Sequence, residues 1–60
     1  MMVEQMFEYK VGDFVVANWE YLAGQRGKVL KAEVMQGYPY YLVALPESDS
    51  WLAQESLKLA

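Results

Sequence analysis

The sequence predicts an all-β domain: five short strands closing into a small barrel, with a 3₁₀ turn before the last strand. Three observations lead there. β-prone runs alternate at close spacing with turns rich in Gly, Pro, Asp and Ser, which suggests a sandwich or barrel. The chain has only 60 residues, and at that length a barrel closing its own edges is the economical solution. Finally, in Gly24-Gln25-Arg26-Gly27-Lys28-Val29-Leu30 two glycines bracket a polar pair and a β-prone run follows. That stretch is read as the start of the central strand.

Taken in order, residues 1–8 (MMVEQMFE) contain no turn residues and three methionines, which suit adaptable packing on an irregular surface. They are expected to form a tail, or an extra short strand or helical turn laying Met6 and Phe7 on the barrel, which itself spans residues 9–60. Gly12 and Asp13 make a turn. Phe14-Val15-Val16-Ala17 follow as a strand, with Val15 and Ala17 inward and Phe14 and Val16 outward by the two-residue period. Residues 18–24 (NWEYLAG) form the longest irregular segment. Its bulky Trp19, Tyr21 and Leu22 are expected to fold back and close the end of the core, because a core this small needs every large side chain.

Residues 27–35 (GKVLKAEVM) read as the longest strand. Its apolar set shifts phase, from Val29 to Leu30, Ala32 and Val34, so a bulge or sharp bend is expected near Val29 or Leu30. Gln36-Gly37-Tyr38-Pro39 is expected to connect a hairpin, with Pro39 blocking strand continuation. Residues 40–45 (YYLVAL) are the most β-prone run. Tyr41, Val43 and Leu45 should line the core, leaving Tyr40, Leu42 and Ala44 on a second apolar face that something else would cover. Pro46-Glu47-Ser48-Asp49 is a turn. A short strand carrying Trp51 follows over residues 50–53, then a 3₁₀ turn at Gln54-Glu55-Ser56 and a last strand at Leu57-Lys58-Leu59.

Composition narrows the functions. Such a short chain buries only about 60% of the surface its unfolded form exposes. Disulfides and the usual zinc ligands are unavailable because the chain has no Cys and no His. Self-association is the stabilising device left, and 55% apolar residues suit it. The same lack of His and Cys leaves enzyme chemistry without its common bases and nucleophiles. A net charge of −3 disfavours non-specific nucleic-acid binding. No stretch matches a bilayer span, and the N-terminus lacks the basic start and apolar run of a signal peptide. A soluble, cytoplasmic, non-catalytic protein without cofactor or metal is expected.

The order of signals resembles the Src-homology-3-like (SH3-like) small barrels. The matching pieces are Val11-Gly12-Asp13-x-Val15, Gly24-x-x-Gly27-x-Val29, Tyr41-x-Val43-x-Leu45 and Trp51-x-x-x-Glu55-x-Leu57. Together they cover about residues 9–59. The Gly-x-x-Gly-x-Val piece is similar to the motif of KOW and Tudor-like barrels in ribosomal and transcription proteins. The resemblance implies a fold and not one function. The acidic loop and Ala-Leu-Tyr-like start of the proline-peptide binders are absent, and the nucleic-acid-binding members are basic where this chain is acidic. Gly24-x-x-Gly27 is no phosphate loop, because no Gly-Lys-Ser/Thr follows it.

Three readings remain. The leading one is a protein-interaction or assembly module, self-associating through Phe14, Val16, Tyr40 and Leu42, with Trp19, Tyr21, Tyr38, Tyr40 and Trp51 as the candidate recognition aromatics. The second is a nucleic-acid-associated accessory domain using Arg26, Lys28, Lys31 and aromatic stacking. The third is a small subunit whose activity requires an oligomeric pore.

Overall fold

The computed structural model describes residues 6–60. Residues 1–5, part of the expected N-terminal tail or strand, lie outside the described residues. The fold is all-β. Five strands form one antiparallel sheet: β1 (Phe14–Ala17), β2 (Arg26–Met35), β3 (Tyr38–Ala44), β4 (Asp49–Ala53) and β5 (Leu57–Leu59). Short 3₁₀ turns at Glu20–Leu22 and Gln54–Ser56 interrupt the connections. The strand order is β4-β3-β2-β1-β5. No ladder joins β4 to β5 among the described residues, so hydrogen bonding leaves the sheet open.

The expected register change is present in β2. Val29 pairs with Val43 and Lys31 pairs with Leu42, so Leu30 is the extra residue of a β-bulge. A bulge bends its strand and increases the local twist. β2 can therefore pair β1 with its first half and β3 with its whole length beyond Gly27. The inward set is Val15, Ala17, Val29, Tyr41, Val43, Leu52 and Leu57, joined by Tyr9, Leu22 and Leu45 from the connections. Tyr41 is the largest fully buried side chain. Phe7 packs edge-on against it at 5.9 Å between ring centroids, and Tyr9 at 5.3 Å.

The two central glycines serve different ends. Gly24 takes φ +88 in the turn before β2, a conformation costly for any other residue. Gly27 faces inward, where an added Cβ would overlap the Ala44 carbonyl. The Gly12 turn is closed by the Asp13 N–H donating to the Lys10 carbonyl at 3.0 Å, while the Lys10 N–H donates to the Asp13 carboxylate at 3.0 Å.

Two expectations need correction. Tyr38 and Pro39 are not loop residues: the hairpin turns on Gln36 (φ 51) and Gly37 (φ 84) alone, and Pro39 pairs with Val34 inside β3. Pro39 is tolerated there because β4 reaches β3 only from Tyr40 onward, leaving an open edge where its missing N–H would point. Nor does the aromatic loop close the core as a unit. Leu22 is buried, but Trp19 is 43% exposed and Tyr21 80% exposed. Phe7, Tyr9 and Tyr41 supply the core aromatics instead.

Candidate functional site

Strand pairing sets the outward face row by row. Lys58, Val16 and Arg26 form one row across β5, β1 and β2. Phe14, Lys28, Ala44 and Asp49 form the next, across β1 to β4. Lys31, Leu42 and Trp51 follow, then Glu33, Tyr40 and Ala53. Neighbouring members of a row lie one strand apart, about 4.8 Å.

This face has two parts. The β3–β4 side is aromatic and apolar. There Tyr40, Trp51, Leu52 and Ala53 meet Trp19 from the β1–β2 connection and Ser56 from the second 3₁₀ turn. Together they line a cleft of about 170 Å³. Small-molecule pockets run to roughly 300–1,000 Å³, so this cleft matches one or two side chains rather than a cofactor. The 3₁₀ turn at Gln54–Ser56 is fixed from within. The Tyr41 hydroxyl donates to the Gln54 side-chain oxygen, which also accepts the Glu8 N–H at 2.8 Å. The Tyr9 hydroxyl donates to the Leu57 carbonyl at 3.0 Å. Burial raises the pKa of both Tyr9 and Tyr41, so both stay neutral at physiological pH.

The β5–β1–β2 side is cationic. Arg26, Lys28, Lys31 and Lys58 are exposed, and Phe14 beside them is 59% exposed. The Lys28 ammonium lies 5.7 Å from the Phe14 ring centroid.

The structure thus brings together Trp19 and Tyr40 among the expected interaction residues, and Phe14 and Val16 as a separate pair. Leu42, half-buried, stands between the two groups in the row of Lys31 and Trp51. Tyr38 is exposed at the far hairpin end, and Tyr21 lines a different depression with Leu22 and Leu45. Lys58 and the cleft residues Leu52, Ala53 and Ser56 lie outside the sequence-based set of site residues. Lys58 was signalled by its alternation with the inward Leu57. Ser56 carried no signal, because its place depends on how the 3₁₀ turn packs.

A larger open depression of about 570 Å³ is lined by Phe7 to Val11, Asp13 and Ala32. Among the described residues no group of three or more acidic, His or Cys side chains is placed to hold a metal ion, and no helix is long and apolar enough to cross a membrane. Compared with protein-family models, curated proteins and solved structures, the chain matches none.

Proposed function

We propose that this chain is a non-catalytic protein-interaction or assembly module on an SH3-like small barrel, in which the bulged β2 serves both halves of a closed core. The strand order, the bulge at Leu30 and the 3₁₀ turn before β5 support the barrel reading. The observation that carries the function is the cleft of Trp19, Tyr40 and Trp51, continued outward by Leu42. Partly exposed aromatic rings around a side-chain-sized hollow are the anchors that dominate protein interfaces. With no His or Cys in the chain, the Ser56 hydroxyl at the cleft has no imidazole or thiolate beside it to activate it.

A second copy of the chain is the first partner to test. Its contact would centre on Leu42 and Trp51 rather than on Phe14 and Val16. A two-fold contact over Phe14 and Val16 would set Lys28, Arg26 and Lys58 of one copy against the same cations of the other, and such juxtaposition opposes association. Light scattering on a concentration series up to about 1 mM detects any self-contact worth roughly 4 kcal/mol. Self-association should raise the mass above that of the 6.9 kDa monomer, and Leu42→Glu should abolish the rise. A monomer throughout the series removes self-association from the proposal. Unchanged association in folded Leu42→Glu and Trp51→Ala removes the cleft from it.

A further inference from the structure

We infer that the cationic strip on the outward face of β5, β1 and β2 is a docking surface for an extended acidic segment of a partner protein, one whose every second residue is by turns a carboxylate and an apolar side chain. This does not rest on the aromatic cleft. It rests on where an acidic protein places its few cations. The chain has five Lys and Arg, and four of them, Arg26, Lys28, Lys31 and Lys58, share this strip. The whole chain carries −3, so outside these four cations the balance is −7 (−3 minus +4).

The bulge contributes directly. Lys28 and Lys31 are three residues apart, an odd spacing that in a regular strand would put them on opposite faces. Leu30 takes up the extra residue, and Lys31 returns to the outward side, paired with Leu42. Arg26 and Lys28 are two residues apart, about 7 Å, and Lys58 lies two strands from Arg26, about 10 Å. These separations are comparable with the Debye length of about 8 Å at physiological salt, so the four cations act as one field. The borders are acidic: Glu33 follows Lys31 outward along β2, and Asp49 ends the row of Lys28.

Charge alone would suit any anion. The apolar residues between the cations choose among them. Val16 sits between Arg26 and Lys58, and Phe14 sits opposite Lys28. A partner in extended conformation turns every second side chain to one face, about 6–7 Å apart, so a segment crossing the strands with carboxylate and apolar residues by turns at its every second position follows the order Lys58, Val16, Arg26. A long nucleic acid fits less well. Four phosphate contacts give weak binding, and the −7 remainder would repel the strand beyond the strip.

The test titrates the full ¹⁵N-labelled chain with three probes: a nine-residue peptide with glutamate at positions 1, 5 and 9, leucine at 3 and 7 and serine between, the same peptide with lysine for glutamate, and single-stranded oligothymidylate. The glutamate peptide should bind saturably with a dissociation constant below about 1 mM. It should shift the amides of Val16, Arg26, Lys28, Lys31 and Lys58, and release in 0.5 M salt, where the Debye length is roughly 4 Å. Lys28→Gln with Lys31→Gln should weaken it about tenfold or more, and Lys10→Gln, outside the strip, should leave it unchanged. Should the double variant not fold, the comparison of the two peptides on the native chain decides. The inference is overturned by no binding of the glutamate peptide, by equal binding of the lysine peptide, or by tighter binding of oligothymidylate.

Discussion

The Tyr41 hydroxyl, fully buried, donates to the Gln54 side-chain oxygen and so ties the centre of β3 to the 3₁₀ turn that precedes β5. It also accepts the Tyr9 N–H at 3.3 Å, and Gln54 takes the Glu8 N–H. One buried oxygen thus links the N-terminal approach, the core strand and the turn beneath the aromatic cleft. Tyr41→Phe keeps the ring packing but leaves the Tyr9 N–H without its acceptor. The cost should be about 1–3 kcal/mol, the usual penalty for orphaning a buried polar group. Gln54→Ala should cost a similar amount, and the double variant less than the sum, because both remove one bond. Urea denaturation of the four proteins measures the coupling.

Alkaline pH should destabilise the fold through the same pair. Tyr9 and Tyr41 each have a pKa above the ordinary 10.0, chiefly because burial disfavours the phenolate, with the Glu8 charge adding to the effect. The folded state therefore holds these protons after the unfolded chain has released them. Their contribution is fully present below about pH 10 and is lost as pH rises through the higher folded values. The slope of unfolding free energy against pH above about pH 10 should be negative in the native protein and shallower in Tyr9→Phe. An unchanged slope would remove Tyr9 from this account. The slope, rather than absolute stability, is the measurement, because Tyr9→Phe also loses the bond to Leu57.

Gly27 and Gly24 should respond differently to alanine. At Gly27 the methyl group meets the Ala44 carbonyl and the Val43 side chain, so β3 must move away from β2. Overpacking of this kind costs typically 1–3 kcal/mol. At Gly24 there is open space, and the cost is backbone strain at φ +88, roughly 1–2 kcal/mol. Amide chemical shifts separate the two mechanisms: Gly27→Ala should perturb Val43 and Ala44, and Gly24→Ala should perturb only its own turn.

The neighbours Tyr21 and Leu22 test which loop residues close the core. Leu22 is buried in the core cluster, and Leu22→Ala should cost about 2–5 kcal/mol. Tyr21 is 80% exposed, and Tyr21→Ser should change stability by no more than about 0.5 kcal/mol. Thermal melts of the two variants make the comparison.

What could be read from the sequence follows from which signals are local. Period-two alternation is local, so β1, the last 3₁₀ turn, β5 and the inward Val15, Ala17, Tyr41 and Val43 were legible. The bulge was legible because Leu30 breaks a pattern that is otherwise regular from Gly27 to Ala32. The placement of Trp19 and Tyr21 was not. A large ring adjoining a small core can lie inside or beside it, and only the prior occupation of the interior by Phe7, Tyr9 and Tyr41 decides. The place of Pro39 is hidden for a similar reason: its tolerance in β3 depends on where β4 ends, which is a property of the sheet. The cleft joins Trp19, Tyr40, Trp51 and Ser56 from four segments, and no local pattern reports their meeting.

Deletion of Leu30 is the sharpest test of the architecture. Without it the inward series Gly27, Val29 and Ala32 alternates without interruption, and every side chain of β2 keeps its face. Only the bend is lost. If the bend is what lets β2 wrap one core, the straightened strand cannot bring Val15 over Val29, Tyr41 and Val43, which are all fully buried. A 60-residue domain has a total stability of only about 3–9 kcal/mol, so losing this packing should unfold it at room temperature. Leu30→Ala keeps the extra residue and trims a partly exposed side chain, so it should cost less than about 1 kcal/mol. Far-ultraviolet circular dichroism distinguishes the two. A deletion variant melting with the native protein would show that alternation alone specifies the sheet and that the bulge is dispensable to the fold.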